Sequence, residues 1–134
     1  MQMPFYYDYA CPWAYMGSCR VEAYFADAGV EIDFRPIHLA TAREATAGQG
    51  PAAGERKSRW YASDIQAWSE LTGADLNLSA KDLITRSTRL ALKAALVAKD
   101  AGRFREYHYP TYRARWAEAR DISERDAIRG LLAG

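Results

Sequence analysis

No apolar run in this chain is long enough to span a bilayer, which sets aside a transmembrane helix. Charge of one sign is lacking too. Eighteen Lys and Arg stand against seventeen Asp and Glu, a net charge of +1, so there is no electrostatic footprint for nucleic acid or for an anionic membrane. The opening residues, Met1 to Tyr9, have neither the positive region nor the apolar stretch of a secretory signal, and a reducing cytoplasm is the expected compartment. Cysteine and histidine are scarce, two of each and far apart, which offers no metal-ligand spacing. In a reducing compartment two such cysteines are expected to be free or catalytic rather than joined in a structural disulfide. Glycine-rich phosphate loops, internal repeats and low-complexity tracts are also missing.

What is present is the mix of an ordinary globular domain: 134 residues, half of them apolar and about a quarter charged. Met3 to Tyr9 is rich in aromatics and reads as a short, largely buried strand. Cys11-Pro12 follows, and Pro at the first helical position marks a helix start. Apolar residues then fall at Trp13, Met16, Val21, Tyr24, Phe25 and Ala28, close to a helical stripe that Gly29 ends. Val30 to Phe34 alternates apolar and acidic as a half-buried strand does. Strand, helix and strand in little more than thirty residues predict a βαβ unit with parallel strands and a right-handed crossover.

Ala40 to Glu55 is aperiodic and rich in Gly and Ala, and reads mostly as loop with at most a weak helical turn. Beyond it the pattern is helical. A helix over Arg56 to Leu71 should bury Trp60, Ile65, Trp68 and Leu71 and stop at Gly73. Ser79 with Asp82 resembles a capping box and should open the longest helix, with Leu83, Leu90, Ala91, Ala94, Ala95 and Ala98 on one face. A third helix should run from Arg103 to about Ala119 with Pro110 inside it. Ser123 with Asp126 should cap a last short helix toward Leu132.

The chemical centre is Cys11. A thiol at a helix start faces unpaired backbone N–H groups and the positive end of the helix dipole, both of which favour the thiolate. Cysteine is also among the most often buried residue types. Its placement between a predicted strand and a predicted helix favours the reactive reading. Cys19 lies eight residues along the same helix, about 12 Å at 1.5 Å per residue, beyond the roughly 7 Å Cα separation that a disulfide allows. Cys19 is therefore expected to be a packing residue. Ala14 occupies the place where a Cys-x-x-Cys motif would hold its second thiol.

At this point the residues resemble a known group. Asp8-Tyr9-Ala10-Cys11-Pro12-Trp13-Ala14-Tyr15-Met16-Gly17 is similar to the active-site segment of DsbA-like thioredoxin-fold proteins. That group includes bacterial disulfide oxidoreductases, kappa-class glutathione transferases and 2-hydroxychromene-2-carboxylate isomerases. Phe34-Arg35-Pro36-Ile37-His38-Leu39 resembles the end of their second strand. Lys57-Ser58-Arg59-Trp60 with Asp64 and Trp68 resembles the isomerase branch, as do Thr85-Arg86 and Tyr112-Arg113-Ala114-Arg115-Trp116 followed by Asp121-Ile122-Ser123.

The resemblance implies an α/β fold class: a thioredoxin-like βαβ unit over residues 1–39, then a loop and a large α-helical insertion over 40–134, in one compact domain. It also implies glutathione as cofactor, with Cys11 catalytic and Cys11, Pro12, Trp13 and Lys57 binding the tripeptide. Two departures bear on activity. Isomerases and kappa transferases typically carry serine at the position of Cys11, and the isomerases' asparagine after strand two is replaced, by Gly48 here. One cysteine without the other suits a monothiol mechanism completed by glutathione. Family members continue into a cis-proline loop, two strands and a helix, and this chain stops at Gly134, so a form lacking that C-terminal ββα half is expected, able to pair with a second copy.

Three functions follow: glutathione-linked disulfide exchange, glutathione-dependent isomerisation of an aromatic substrate, and a non-catalytic binding or assembly fragment. The partners implied are glutathione and a small-molecule or disulfide substrate, with no nucleic acid and no membrane. Lesser candidates are Arg35, which can bind a carboxylate or hold a nearby acid, and His38, a general base or a polar strand-end residue. His108, among Tyr107, Tyr109 and Tyr112, is expected to pack. Trp13 and Trp60 are expected to wall a pocket.

Overall fold

The computed structural model describes residues 1–46, 55–78, 83 and 85–134, with the backbone alone described for 55–59 and 62. The predicted Ser79–Asp82 cap and Gly48 lie outside the described residues. Residues Gln2–Tyr7 form strand β1, in which Met3, Phe5 and Tyr7 turn inward while Gln2, Pro4 and Tyr6 face out. The strand ends two residues earlier than the aromatic run suggests. Asp8 folds the chain into a turn, its carboxylate accepting from Ala10 N and its carbonyl from Cys11 N, as short acidic side chains do at strand ends. Strand β2, Glu31–Pro36, lies parallel to β1 in the register Gln2↔Glu31 to Tyr7↔Pro36. The predicted βαβ unit is present.

Helix α1, Pro12–Phe25, crosses between the two strands with Pro12 at its start. One turn of 3-10 helix, Ala26–Ala28, follows, and Gly29 closes it at φ 62°, a left-handed conformation that suits glycine. Gly17 lets α1 approach the sheet closely, since a Cβ there would meet the Phe5 ring at 3.0 Å. Tyr24, placed on the apolar stripe by its spacing, is 83% exposed.

The stretch read as loop contains a seven-residue helix, α2, Leu39–Ala45. Its start is held by His38, whose ring accepts from Thr41 N, and Ala, Arg and Glu then carry it. Helix α3, Glu55–Thr72, is the longest, and Gly73 ends it at φ 69°. Ile65 is buried as expected. Trp60, Trp68 and Leu71 are 61%, 45% and 68% exposed, against the burial expected of them. Helix α4, Arg89–Asp100, begins well after the predicted start and is shorter than α3. Its N-cap Thr88 gives its hydroxyl to Asp8 rather than to the helix. The small residues Ala91, Ala94, Ala95 and Ala98 are buried, as their spacing predicts.

Helix α5, Phe104–Trp116, contains Pro110 and ends three residues early, before Ala119 turns left-handed at φ 52°. Helix α6, Arg125–Ala133, has Glu124 as N-cap without a side-chain cap. Ser123 does not cap it, and its backbone N–H is taken up by Asp121 Oδ1 at 2.8 Å. Lys99 reaches from α4 to the outer edge of β2, donating to Phe34 O at 2.9 Å and Asp33 Oδ1 at 2.7 Å. A charged side chain on a strand edge blocks further pairing there.

The core is aromatic and centres on His108, which is fully buried. Its ring lies 4.6 Å from Tyr7 and Phe104, 4.9 Å from Phe34 and 5.0 Å from Tyr112, centroid to centroid. Nδ1 pairs with Tyr9 OH and Nε2 with Ser18 Oγ, both at 3.2 Å. The packing role expected of His108 is what the structure shows. Burial pushes its pKa down to about 3, so the folded protein keeps it neutral.

The unfolded chain binds a proton at His108 from about pH 6.5 downward and the folded chain does not. Stability is thus highest above that value and falls as pH drops toward 3, by up to about 1.4 kcal/mol per pH unit. Urea unfolding should show a loss of about 2 kcal/mol between pH 7 and pH 5. His108→Gln should flatten that dependence whatever its stability at pH 7. An unchanged slope in the variant would assign the loss to other groups.

Candidate active site

The site is built where β1 ends. Asp8 is 1% exposed, and among the described residues its carboxylate accepts three hydrogen bonds from three parts of the chain. Oδ1 takes Ala10 N at 3.0 Å and Thr88 Oγ1 at 2.5 Å, and Oδ2 takes Leu39 N at 2.7 Å. The turn before α1, the first residue of α2 and the cap position of α4 are thereby tied together. Its backbone carbonyl accepts Cys11 N at 2.9 Å and Tyr112 OH at 3.0 Å. Trp116 Nε1 donates to Tyr9 O at 2.9 Å. Helix α5 thus grips the two residues that lead into the cysteine.

Cys11 is the N-cap of α1, half-buried, with φ −102° and ψ 111°. Its carbonyl accepts Tyr15 N at 3.1 Å, and its side chain makes no capping bond. Pro12 has no N–H to offer, and helix geometry leaves the N–H groups of Trp13 and Ala14 without an intrahelical acceptor. The thiol therefore sits at the positive end of a fourteen-residue helix, as its predicted position requires.

Trp13 projects toward α3 and meets Tyr61 at 5.9 Å and Trp68 at 6.5 Å, both edge-to-face. Tyr61 and Trp68 are 41% and 45% exposed, so an aromatic wall stands open two residues from Cys11. Among the described ring contacts Trp13 pairs with these two; Trp60, expected to wall the same pocket, is 61% exposed.

The other candidates disperse. Lys57 lies on α3, and its side chain is outside the described residues. Arg35 holds Asp33 at 2.7 Å, the structural role foreseen as its alternative. His38 caps α2, with Nδ1 2.8 Å from Thr41 Oγ1. Cys19 and Cys11 are both free. Cys19 is exposed as a residue and not a packing residue as expected, yet partial desolvation of its sulfur pushes the thiol up from its ordinary value. Among the described residues, no group of three or more His, Cys, Asp or Glu is placed to hold a metal, and no helix is long and apolar enough to cross a membrane.

Sequence reasoning missed Asp8, Thr88, Tyr112 and Trp116 as site-building residues. An aspartate at a strand–helix junction is a turn signal that could have marked Asp8. Nothing local joins it to Thr88, 80 residues on.

The profile of the DSBA-like thioredoxin domain matches residues 2–133. A 2-hydroxychromene-2-carboxylate isomerase of Pseudomonas putida is 30% identical over 78 residues, covering 57% of this chain and 38% of that protein. Among solved structures, a 2-hydroxychromene-2-carboxylate isomerase superposes with a TM-score of 0.67 at 20% identity, covering 100% of this chain and 72% of the other. The cytosolic disulfide reductase DsbM from Pseudomonas aeruginosa, solved with GSH, gives 0.64 at 19% identity, covering 99% and 64%. The match to the curated isomerase thus spans well under half of that protein's length. The structural likenesses give the fold, a thioredoxin-like α/β arrangement.

Removing the Asp8 carboxylate strands three described donors, of which the Thr88 hydroxyl is buried and the Ala10 and Leu39 N–H groups are partly so. Asp8→Ala should cost about 3 kcal/mol or more in urea unfolding, and Thr88→Val, which removes one donor, about 1–2 kcal/mol. A Thr88→Val loss equal to or larger than that of Asp8→Ala would show that Asp8 is not the centre of this network.

Proposed function

The chain belongs to the DSBA-like thioredoxin domain family, and on that premise we propose that it performs glutathione-linked thiol–disulfide exchange with Cys11 as its reactive thiol. The observation that carries this reading is the position of Cys11 as the N-cap of α1, with Ala14 where a second thiol would stand. A thiolate is the form that attacks a disulfide, and a helix start leaves backbone N–H groups without intrahelical acceptors. The absence of a partner on the first turn makes an external thiol necessary.

The exchange balances in two steps. Cys11 thiolate attacks the glutathione sulfur of a mixed disulfide, forming the Cys11–glutathione disulfide and expelling the substrate thiolate, which takes up a proton. A free glutathione thiolate then attacks the glutathione sulfur on the protein, releasing oxidised glutathione and restoring Cys11. Glutathione is the reductant, and the substrate disulfide is reduced. Pro12 and Trp13 border the tripeptide in this reading, and Lys57 is the residue proposed to meet one of its carboxylates. A reducing compartment suits this direction of flow, and DsbM, a fold neighbour, is described as cytosolic and solved with GSH.

A second reading has its own observation. The open wall of Trp13, Tyr61 and Trp68 suits a flat aromatic substrate, and one relative is an isomerase of 2-hydroxychromene-2-carboxylate. Glutathione would then be cofactor to an isomerisation beside Cys11.

At pH 7, iodoacetamide should modify Cys11 ahead of Cys19, whose thiol burial pushes up. Oxidised glutathione should leave one glutathionyl group, seen by mass spectrometry, that Cys11→Ala abolishes and Cys19→Ala does not. Equal reactivity of the two thiols with no adduct would sink the exchange reading, and no isomerisation besides would leave a non-catalytic binding role. Cys11→Ser then separates the two, since isomerisation of 2-hydroxychromene-2-carboxylate can persist with a hydroxyl and disulfide exchange cannot.

A further inference from the structure

Beside the Cys11 turn lies a cavity of about 220 Å³ bounded by the end of β1, the start of α2 and the segment leading into α4. Asp8 and Ala10 line it, as do Arg43 of α2 and Arg86 of the segment leading into α4. In open α/β sheets, ligands bind beyond the carboxyl ends of the strands. β1 ends at Tyr7 and β2 at Pro36, so this cavity occupies that place.

Its charge is uneven. Among the described residues, the carboxylate of Asp8 is the one acidic group in the lining, and its oxygens already accept from Ala10, Thr88 and Leu39. The two arginines outnumber it. Among the described residues, Arg86 has one acidic partner, Asp121, at 3.5 Å through Nε, and its side chain is 60% exposed. Arg89, which does not line the cavity, spends Nη2 on Thr41 Oγ1 at 3.1 Å. His38 spends Nδ1 on Thr41 and supplies no counter-charge.

We propose that this cavity is a carboxylate-binding subsite, in which Arg43 and Arg86 hold an anionic group of a molecule brought to Cys11. A guanidinium matches a carboxylate with two parallel hydrogen bonds, which fixes orientation as well as charge. The assignment rests on the reading of Cys11 as the reacting thiol only for which molecule is held. The carboxylate belongs either to glutathione or to the second substrate.

Amide NMR titrations of the whole chain test it, with benzoate against benzamide and glutathione against its diethyl ester. Benzoate should shift the Arg43 and Ser87 amides and bind about tenfold more tightly than benzamide, the discrimination expected of charge-assisted pairing. Arg43→Gln and Arg86→Gln should each remove the preference, and Arg86→Lys should keep part of it. The same dependence for glutathione over its ester would assign the site to the tripeptide, and its restriction to benzoate would assign it to the second substrate. Benzoate binding no better than benzamide, or binding indifferent to both glutamine variants, overturns the assignment. Glutathionylation of Cys11 in the unaltered chain separates the two claims. An adduct without carboxylate preference defeats the cavity alone, and a preference without an adduct defeats the exchange reading alone.

Discussion

The buried carboxylate of Asp8 is the constraint on which this structure turns. A charge taken out of water is tolerated only when its oxygens are met by donors, and here the donors come from the turn before α1, the start of α2 and the cap position of α4. Each of these segments must therefore reach one point at the end of β1. Thr88 is diverted from capping its own helix to do so. The position of Cys11 follows, since its backbone N–H is bonded to the carbonyl of that same aspartate.

Helix α5 supplies the second half of the frame. Tyr112 and Trp116 bond to the carbonyls of Asp8 and Tyr9, while Tyr107 bonds to Ala91 O and so joins α5 to α4. Between them His108 fills the aromatic core as a neutral ring bonded to Tyr9 and Ser18. Polar atoms on large aromatic bodies let one helix bury area and satisfy a distant turn at once. The side of Cys11 toward α3 is left with open aromatic rings, and the lining of the cavity beside its turn includes Arg43 and Arg86.

Much of this was legible along the chain. Pro12 after Cys11, Gly29 and Gly73 mark helix ends through their own backbone restrictions, and the alternation of β2 declares one buried face. These are local rules with short range. The sequence was misleading where an apolar spacing stays open to solvent: Trp60 and Leu71 are largely exposed on α3, and Tyr24 has no neighbour beyond Phe25 among the described ring contacts. It was silent where short segments are held by side chains, as His38 holds α2.

The sequence by itself determined the βαβ unit, the placement of a thiol at a helix start and the lack of a second thiol one turn on, because each depends on residues within a few positions of one another. Tertiary structure alone decided that Asp8 is the anchor, that Tyr61 and Trp68 face Trp13, and that Arg43 and Arg86 border one cavity. Those pairs are separated by tens of residues, and their meeting is fixed by how helices pack onto the sheet, which no local pattern records.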